Sequence, residues 1–174
     1  MRRLMLLRHA KSEWSQAGGG DHERPLNPRG RDAAPKIGAY IAQAEIVPDL
    51  ILCSTAERTR QTCELVTATF AKPPKVRFED ELYLAEPEII ISLVREAPDK
   101  VRTLMVIGHN PGIHQVANDL VGGGKTQARD MLAAKFPTTA LAVVDFATDD
   151  WSDIGLHAGK LDRFITPRLL AEED

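Results

Sequence analysis

Nonpolar residues arrive in short unbroken runs rather than in alternation. Leu4–Leu7, Leu50–Cys53, Leu104–Ile107 and the LAVV run starting at Leu141 are each bounded by charge or by turn formers. Runs this short predict strands, and the absence of a polar alternate position predicts that both faces of the sheet are covered. The predicted strands span 2–7, 49–54, 76–83, 102–110, 138–147 and 161–166, the third weakest and ending in a turn.

Between them lie segments with helical spacing. Asn27-Pro28 starts one that runs to Gln43, with Asn27 as cap and Pro28 in the first turn. Pro35 inside it predicts a kink or an early stop. A second helix covers 54–70, capped by Ser54 or Thr55, with Glu57 placed for a capping box. Pro87 and Pro98 bracket a third. A fourth spans 111–122, with Asn110 as its cap and Pro111 at its first position, and a fifth spans 125–136. Gly122-Gly123-Gly124 between them predicts a helix–helix turn, since the spacing to Lys125-Thr126 is wrong for a nucleotide loop. The segment after 166 predicts a polar tail. Strands alternating with helices predict one α/β domain over 1–174: three layers, a mostly parallel central sheet and helices on both faces.

Composition narrows this little. The 174 residues are 43% hydrophobic and 27% charged, with a net charge of −3. That balance argues against a nucleic-acid partner. No run approaches the roughly 20 apolar residues that cross a bilayer, so the expectation is a cytoplasmic protein without a membrane partner. Cys53 and Cys63 lack metal-ligand spacing and are expected to be reduced, partly buried thiols. Neither a metal nor a cofactor is expected.

The chemistry gathers where strands end. In open α/β sheets, ligands bind beyond the carboxyl ends of the strands. Arg8-His9 follows the first strand, Ser54 and Arg58 the second, and His109-Asn110 the fourth. Singly, each has an ordinary reading: a solvated arginine, a boundary histidine, a helix-face arginine, a loop histidine. Together they match a phosphoryl group. Arginine holds phosphate oxygens with a planar fork that stays charged. A neutral imidazole is a competent nucleophile near pH 7. Arg60 is expected to face away from Arg58, and Thr62 to support it or pack beside it. His22 could touch substrate; His114 and His157 read as structural or exposed. Trp14 could wall the pocket mouth.

The segments LLRHAKSEW, STAERTRQT and VIGHNPG, in this order, resemble the histidine phosphatase superfamily, which includes phosphoglycerate mutase. The similarity is strongest to its short bacterial phosphohistidine phosphatase branch, and runs from Arg2 to about Thr166. Ala10, where the mutases carry glycine, favours that branch. The resemblance implies a phosphoglycerate mutase-like fold, His9 as nucleophile, and Arg8, Arg58 and His109 as phosphate ligands. It further implies that Asp21 and Arg24, in DHERPLNPRG, border the pocket and that Ser15 touches phosphate. Larger members carry a glutamate acid on an insertion for which this chain has little room. Glu81 is the nearest candidate. The expected partner is a phosphorylated protein or a small phosphorylated metabolite. The first reading is a phosphohistidine phosphatase, the second a phosphatase of small esters or phosphosugars, and the third a noncatalytic phosphate-recognition module. Oligomeric state is left open, with a lean to a monomer.

Overall fold

Period-two alternation inside each apolar run divides the core between two faces of one sheet. A computed structural model describes residues 1–14 and 19–172 of the chain. Its strands are β1 (Arg2–Arg8), β2 (Leu50–Ser54), β3 (Lys75–Glu79), β4 (Thr103–Gly108), β5 (Val121–Gly124), β6 (Leu141–Phe146) and β7 (Gly159–Ile165). They form one sheet in the order β3-β2-β4-β1-β6-β7-β5. β1 runs parallel to β4 and antiparallel to β6. β2 runs parallel to both β3 and β4. The edge pair β5–β7 is parallel, whereas β6–β7 is antiparallel.

The helices are α1 (Pro28–Gln43), α2 (Glu57–Thr67), α3 (Pro87–Arg95), α4 (Gly112–Leu120), α5 (Thr126–Ala134) and α6 (Pro167–Glu172). Leu4, Leu6, Leu52, Leu104 and Val106 face one way and pack with Ile90, Val94, Ile113, Val116 and Leu132 of α3, α4 and α5. Met5, Leu7, Ile51, Met105 and Ile107 face the other way, onto Ile37 and Ile41 of α1 and Cys63 and Val66 of α2. This is the expected three-layer arrangement around a mostly parallel sheet. The described residues include no helix long and apolar enough to cross a membrane.

Several local expectations change. α1 runs through Pro35 without interruption. The cap at Asn27, whose side chain accepts from the Gly30 amide at 2.8 Å, and the burial of Ala34, Ile37 and Ile41 outweigh one missing backbone bond. α2 begins at Glu57 with no side-chain cap, so the capping box from Ser54 does not form. α4 begins at Gly112 after Pro111 rather than under an Asn110 cap. The triple glycine is strand β5, hydrogen-bonded along β7, not a turn. Gly122 fits there because a Cβ would meet the His157 carbonyl oxygen at 1.9 Å. The expected polar tail is α6, which begins on Pro167.

The strand exits are pinned. Lys11, three residues past β1, accepts the Asn27 amide through its carbonyl at 3.0 Å. Gly30 of α1 lies so close that a Cβ would come within 2.0 Å of that same oxygen. The segment leaving β1 is therefore clamped against the start of α1.

Candidate active site

At the carboxyl ends of β1, β2 and β4 lies a cavity of about 330 Å³. Arg8, His9, Asp21, Arg24, Arg58 and His109 line it, joined by Lys11, Ser12, Trp14, Leu84, Asn110 and Thr138. A cavity of about 450 Å³ between α1 and α6 is larger, but its wall has no histidine and its one lysine, Lys36, is paired with Asp32. Convergent chemistry, not size, marks the smaller cavity as the site.

His9 is 6% exposed. Its Nδ1 lies 2.7 Å from the Ala10 carbonyl oxygen, which can only accept, so Nδ1 carries the hydrogen and Nε2 keeps its lone pair. The Ala10 amide donates to Thr62 Oγ1 at 2.9 Å, and the Thr62 hydroxyl donates to the Arg58 carbonyl at 2.7 Å. The ring orientation of His9 is thus tied to α2, the helix that carries Arg58. Thr62 has the supporting place its spacing predicted.

His109 faces His9 with ring centroids 5.3 Å apart. Its Nε2 is 2.7 Å from Ser54 Oγ. Among the described residues the Ser54 hydroxyl has no other acceptor for its proton, so it donates to Nε2 and the imidazole hydrogen sits on Nδ1. Nδ1 is buried without a protein partner, and so are the Nε atoms of Arg8, Arg24 and Arg58. Buried donors are nearly always satisfied, so four unpartnered donors on residues of one cavity wall suit an anion, although an acceptor there, Asn110 Oδ1, is unpartnered too.

Both imidazoles are neutral. Burial pushes His9 down to about 3, against the opposing pull of the Ala10 hydrogen bond and assisted by the charges of Arg8 and Arg58. Burial likewise pushes His109 down to about 3, followed by His9 and Arg58. Below the unfolded pKa near 6.5, the unfolded chain binds protons that the folded chain refuses until about pH 3. Stability is therefore complete above pH 6.5 and falls across that window as pH drops. Each histidine contributes about 1.4 kcal/mol per pH unit. Urea unfolding between pH 7 and pH 4.5 is expected to show this loss, with a slope reduced by one histidine's share in His9→Ala.

Arg58 is 2% exposed. Its Nη1 donates to the Asp21 backbone oxygen at 2.8 Å and its Nη2 to Asp21 Oδ2 at 3.1 Å. Asp21 Oδ1 accepts from Arg24 Nη2 at 3.2 Å, and the Tyr83 hydroxyl donates to Oδ2. The Tyr83 hydrogen bond, then Arg58, hold the Asp21 carboxyl below its ordinary range. Burial, then Asp21, raises the Tyr83 phenol. Arg8 Nη1 donates to the Phe136 carbonyl at 3.1 Å.

Arg8, His9, Asp21, Arg24, Arg58 and His109 therefore meet at one cavity, with Trp14, 85% exposed, at its mouth. Ser15 lies outside the described residues. Glu81 is exposed and is not on the cavity wall. It sits in a short 3-10 turn, Asp80–Leu82, from which Leu82 enters the core. Arg60 turns away from Arg58, onto the Phe78 ring at 4.2 Å. His22 contacts Thr55 Oγ1 at 3.0 Å, and its ring lies edge-on to Tyr83. His114 contacts the Leu132 carbonyl, and His157 caps no chemistry in the cavity. Among the described residues, no group of three His, Cys, Asp or Glu is arranged to hold a metal.

Sequence reasoning missed Tyr83, two positions beyond Glu81, whose ring stands 5.5 Å from His109 and edge-on to it. It also missed the place of Asn110. That side chain donates to the Phe136 carbonyl at 2.9 Å and lines the cavity instead of capping α4. The HN pair after β4 was the available signal.

The sequence profile of the histidine phosphatase superfamily (branch 1) matches residues 4–83. An uncharacterized protein of Mycobacterium leprae is 34% identical over 166 residues, covering 93% of this chain and 100% of the relative. The structure of a proposed phosphohistidine phosphatase SixA from Agrobacterium tumefaciens is 34% identical with a TM-score of 0.80, covering 95% of this chain and 98% of the other. A second such SixA structure, from Nakamurella multipartitia, is 30% identical with a TM-score of 0.82, covering 95% and 96%. With relatives matched along almost their whole length, the chain belongs to branch 1 of the histidine phosphatase superfamily, in its SixA-like group, and is a hydrolase of that type.

Proposed function

We propose that this chain removes the phosphoryl group from phosphohistidine in proteins, through a covalent phosphohistidine on His9. The carrying observation is a neutral His9 beside orphaned donors, with no carboxylic acid at hand. Nε2 of His9 attacks phosphorus, and the bond to the leaving group breaks with its electron pair. Arg8, Arg58 and the Nδ1–H of His109 stabilise charge on the equatorial oxygens. Water then attacks phosphorus, and His9 leaves with its Nδ1 proton still on the ring.

The choice of substrate follows from what an ester would need. An alkoxide leaves poorly without a proton donor. Glu81 lies off the cavity wall, and the acidic side chain on that wall, Asp21, is held ionised. Imidazole leaves without such a donor when its other nitrogen is protonated. Trp14 and Leu84, 85% and 53% exposed at the mouth, offer apolar contact to a protein surface. The names of the SixA relatives point the same way.

The test is kcat/KM on a phosphohistidine peptide against glycerol phosphate. A preference of about 1,000-fold or more for the peptide is expected, about 4 kcal/mol of differential transition-state binding. Equal or greater turnover of the alkyl ester overturns the assignment in favour of the small-ester reading. Phosphate binding without any turnover would leave a recognition module.

A further inference from the structure

An acidic side chain on the wall of a phosphate cavity calls for a reason. Asp21 lines the cavity, and its side chain is 45% exposed. A carboxylate repels a phosphate dianion, so it cannot serve as a phosphate ligand in its ionised form. Three donors keep it ionised: the Tyr83 hydroxyl and Arg58 Nη2 on Oδ2, and Arg24 Nη2 on Oδ1. Holding Arg58 does not by itself require the carboxylate. Arg58 is almost wholly buried and is also bound by the Asp21 backbone oxygen at 2.8 Å. Oδ1, with one donor at 3.2 Å, retains accepting capacity, on a residue that lines the cavity.

The leaving group of the reaction proposed above supplies a partner. A phosphorylated imidazole parts from phosphorus readily when its distal ring nitrogen carries a proton, because it then departs as neutral imidazole. That protonated ring is a cation with an N–H to donate. His9 meets the same requirement on the enzyme's side: its Nδ1–H donates to the Ala10 carbonyl at 2.7 Å while Nε2 takes the phosphoryl group. Resting on the phosphohistidine reading, we propose that Asp21 accepts the hydrogen bond of the substrate's distal ring N–H and so favours N-linked over O-linked phosphate.

The step balances. The substrate P–N bond breaks and its electron pair returns to the ring nitrogen, while a new P–N bond forms at Nε2 of His9. The distal proton stays on the departing ring. Donor and acceptor are then two imidazoles, each with its far N–H on an oxygen, and the transfer is close to symmetrical. An alkyl ester brings no N–H to Asp21 and gains no proton from it.

The experiment compares kcat/KM for phosphoimidazole and for p-nitrophenyl phosphate, whose leaving group needs no partner, in wild type, Asp21→Asn and Asp21→Glu. Asp21→Asn is expected to lower the phosphoimidazole-to-aryl ratio about 10- to 100-fold, the worth of a charged hydrogen bond. Asp21→Glu, which keeps the charge, should recover much of it. An unchanged ratio in Asp21→Asn overturns the proposal, including the case where both rates fall together through a displaced Arg58. If asparagine prevents folding, Asp21→Ser is read the same way. A wild-type enzyme that cleaves the aryl ester but leaves phosphoimidazole intact overturns the N-linked reading itself. Phosphoimidazole turnover with an unchanged ratio overturns only the part given to Asp21.

Discussion

Replacing His9 by alanine is expected to abolish turnover, by at least about 10,000-fold, and with it any covalent phosphoenzyme. The phosphate cage should survive. Arg8, Arg58 and His109 are each held by contacts that do not involve the His9 side chain. His9→Ala should therefore still bind inorganic phosphate while forming no product. Rapid-quench trapping checks this: the wild-type protein is expected to carry an acid-labile, base-stable phosphoryl group, and the variant none. A variant that keeps full activity would remove His9 from the chemistry. At pH 7 the variant should fold normally, because a neutral buried ring is lost rather than half of an ion pair.

Arg58→Ala carries the second large effect, and it acts on two levels. A guanidinium 2% exposed is replaced by a hole, and the Asp21 carboxylate loses its closest cation. In the reaction, the equatorial oxygens lose one of their two arginines. A fall in kcat/KM of about 1,000-fold is expected, of the order seen when one such stabilising group is removed. Arg58→Lys should recover little of it. Nη1 and Nη2 grip the backbone and side-chain oxygens of Asp21 at once, at 2.8 and 3.1 Å, and a point charge on a single stem cannot reproduce that fork. Steady-state kinetics on both variants, with urea unfolding alongside, separates lost chemistry from lost fold. Near-wild-type kinetics in Arg58→Lys would show that charge alone suffices.

The layers were legible because continuous apolar runs leave one arrangement open: a sheet covered on both sides. Met5 and Leu6 are equally apolar, and their opposite faces follow from strand geometry alone. The site was legible for a related reason. Arg8, His9, Arg58 and His109 sit one or a few residues past apolar runs, where parallel strands deliver their ends together. What stayed hidden depends on tertiary contact. Ser54 looks like a helix cap in sequence, but its hydroxyl is engaged by His109 from another strand. The glycines of β5 look like a turn until β7 supplies their partner, whose Leu161 carbonyl lies where a Cβ on Gly124 would come within 2.5 Å of it. Tyr83 has no local signature at all; its place is defined by Asp21, 62 positions away.

The position of β1 governs how the molecule can be made. That strand comes before every other strand along the chain, yet its neighbours in the sheet, β4 and β6, end at Gly108 and Phe146. A nascent chain emerging from the ribosome therefore holds Leu4–Leu7 without a pairing edge until most of the polypeptide is out. The central strand then stays half-paired until β6 is made, and fragments that end before Leu141 should expose its open edge and aggregate.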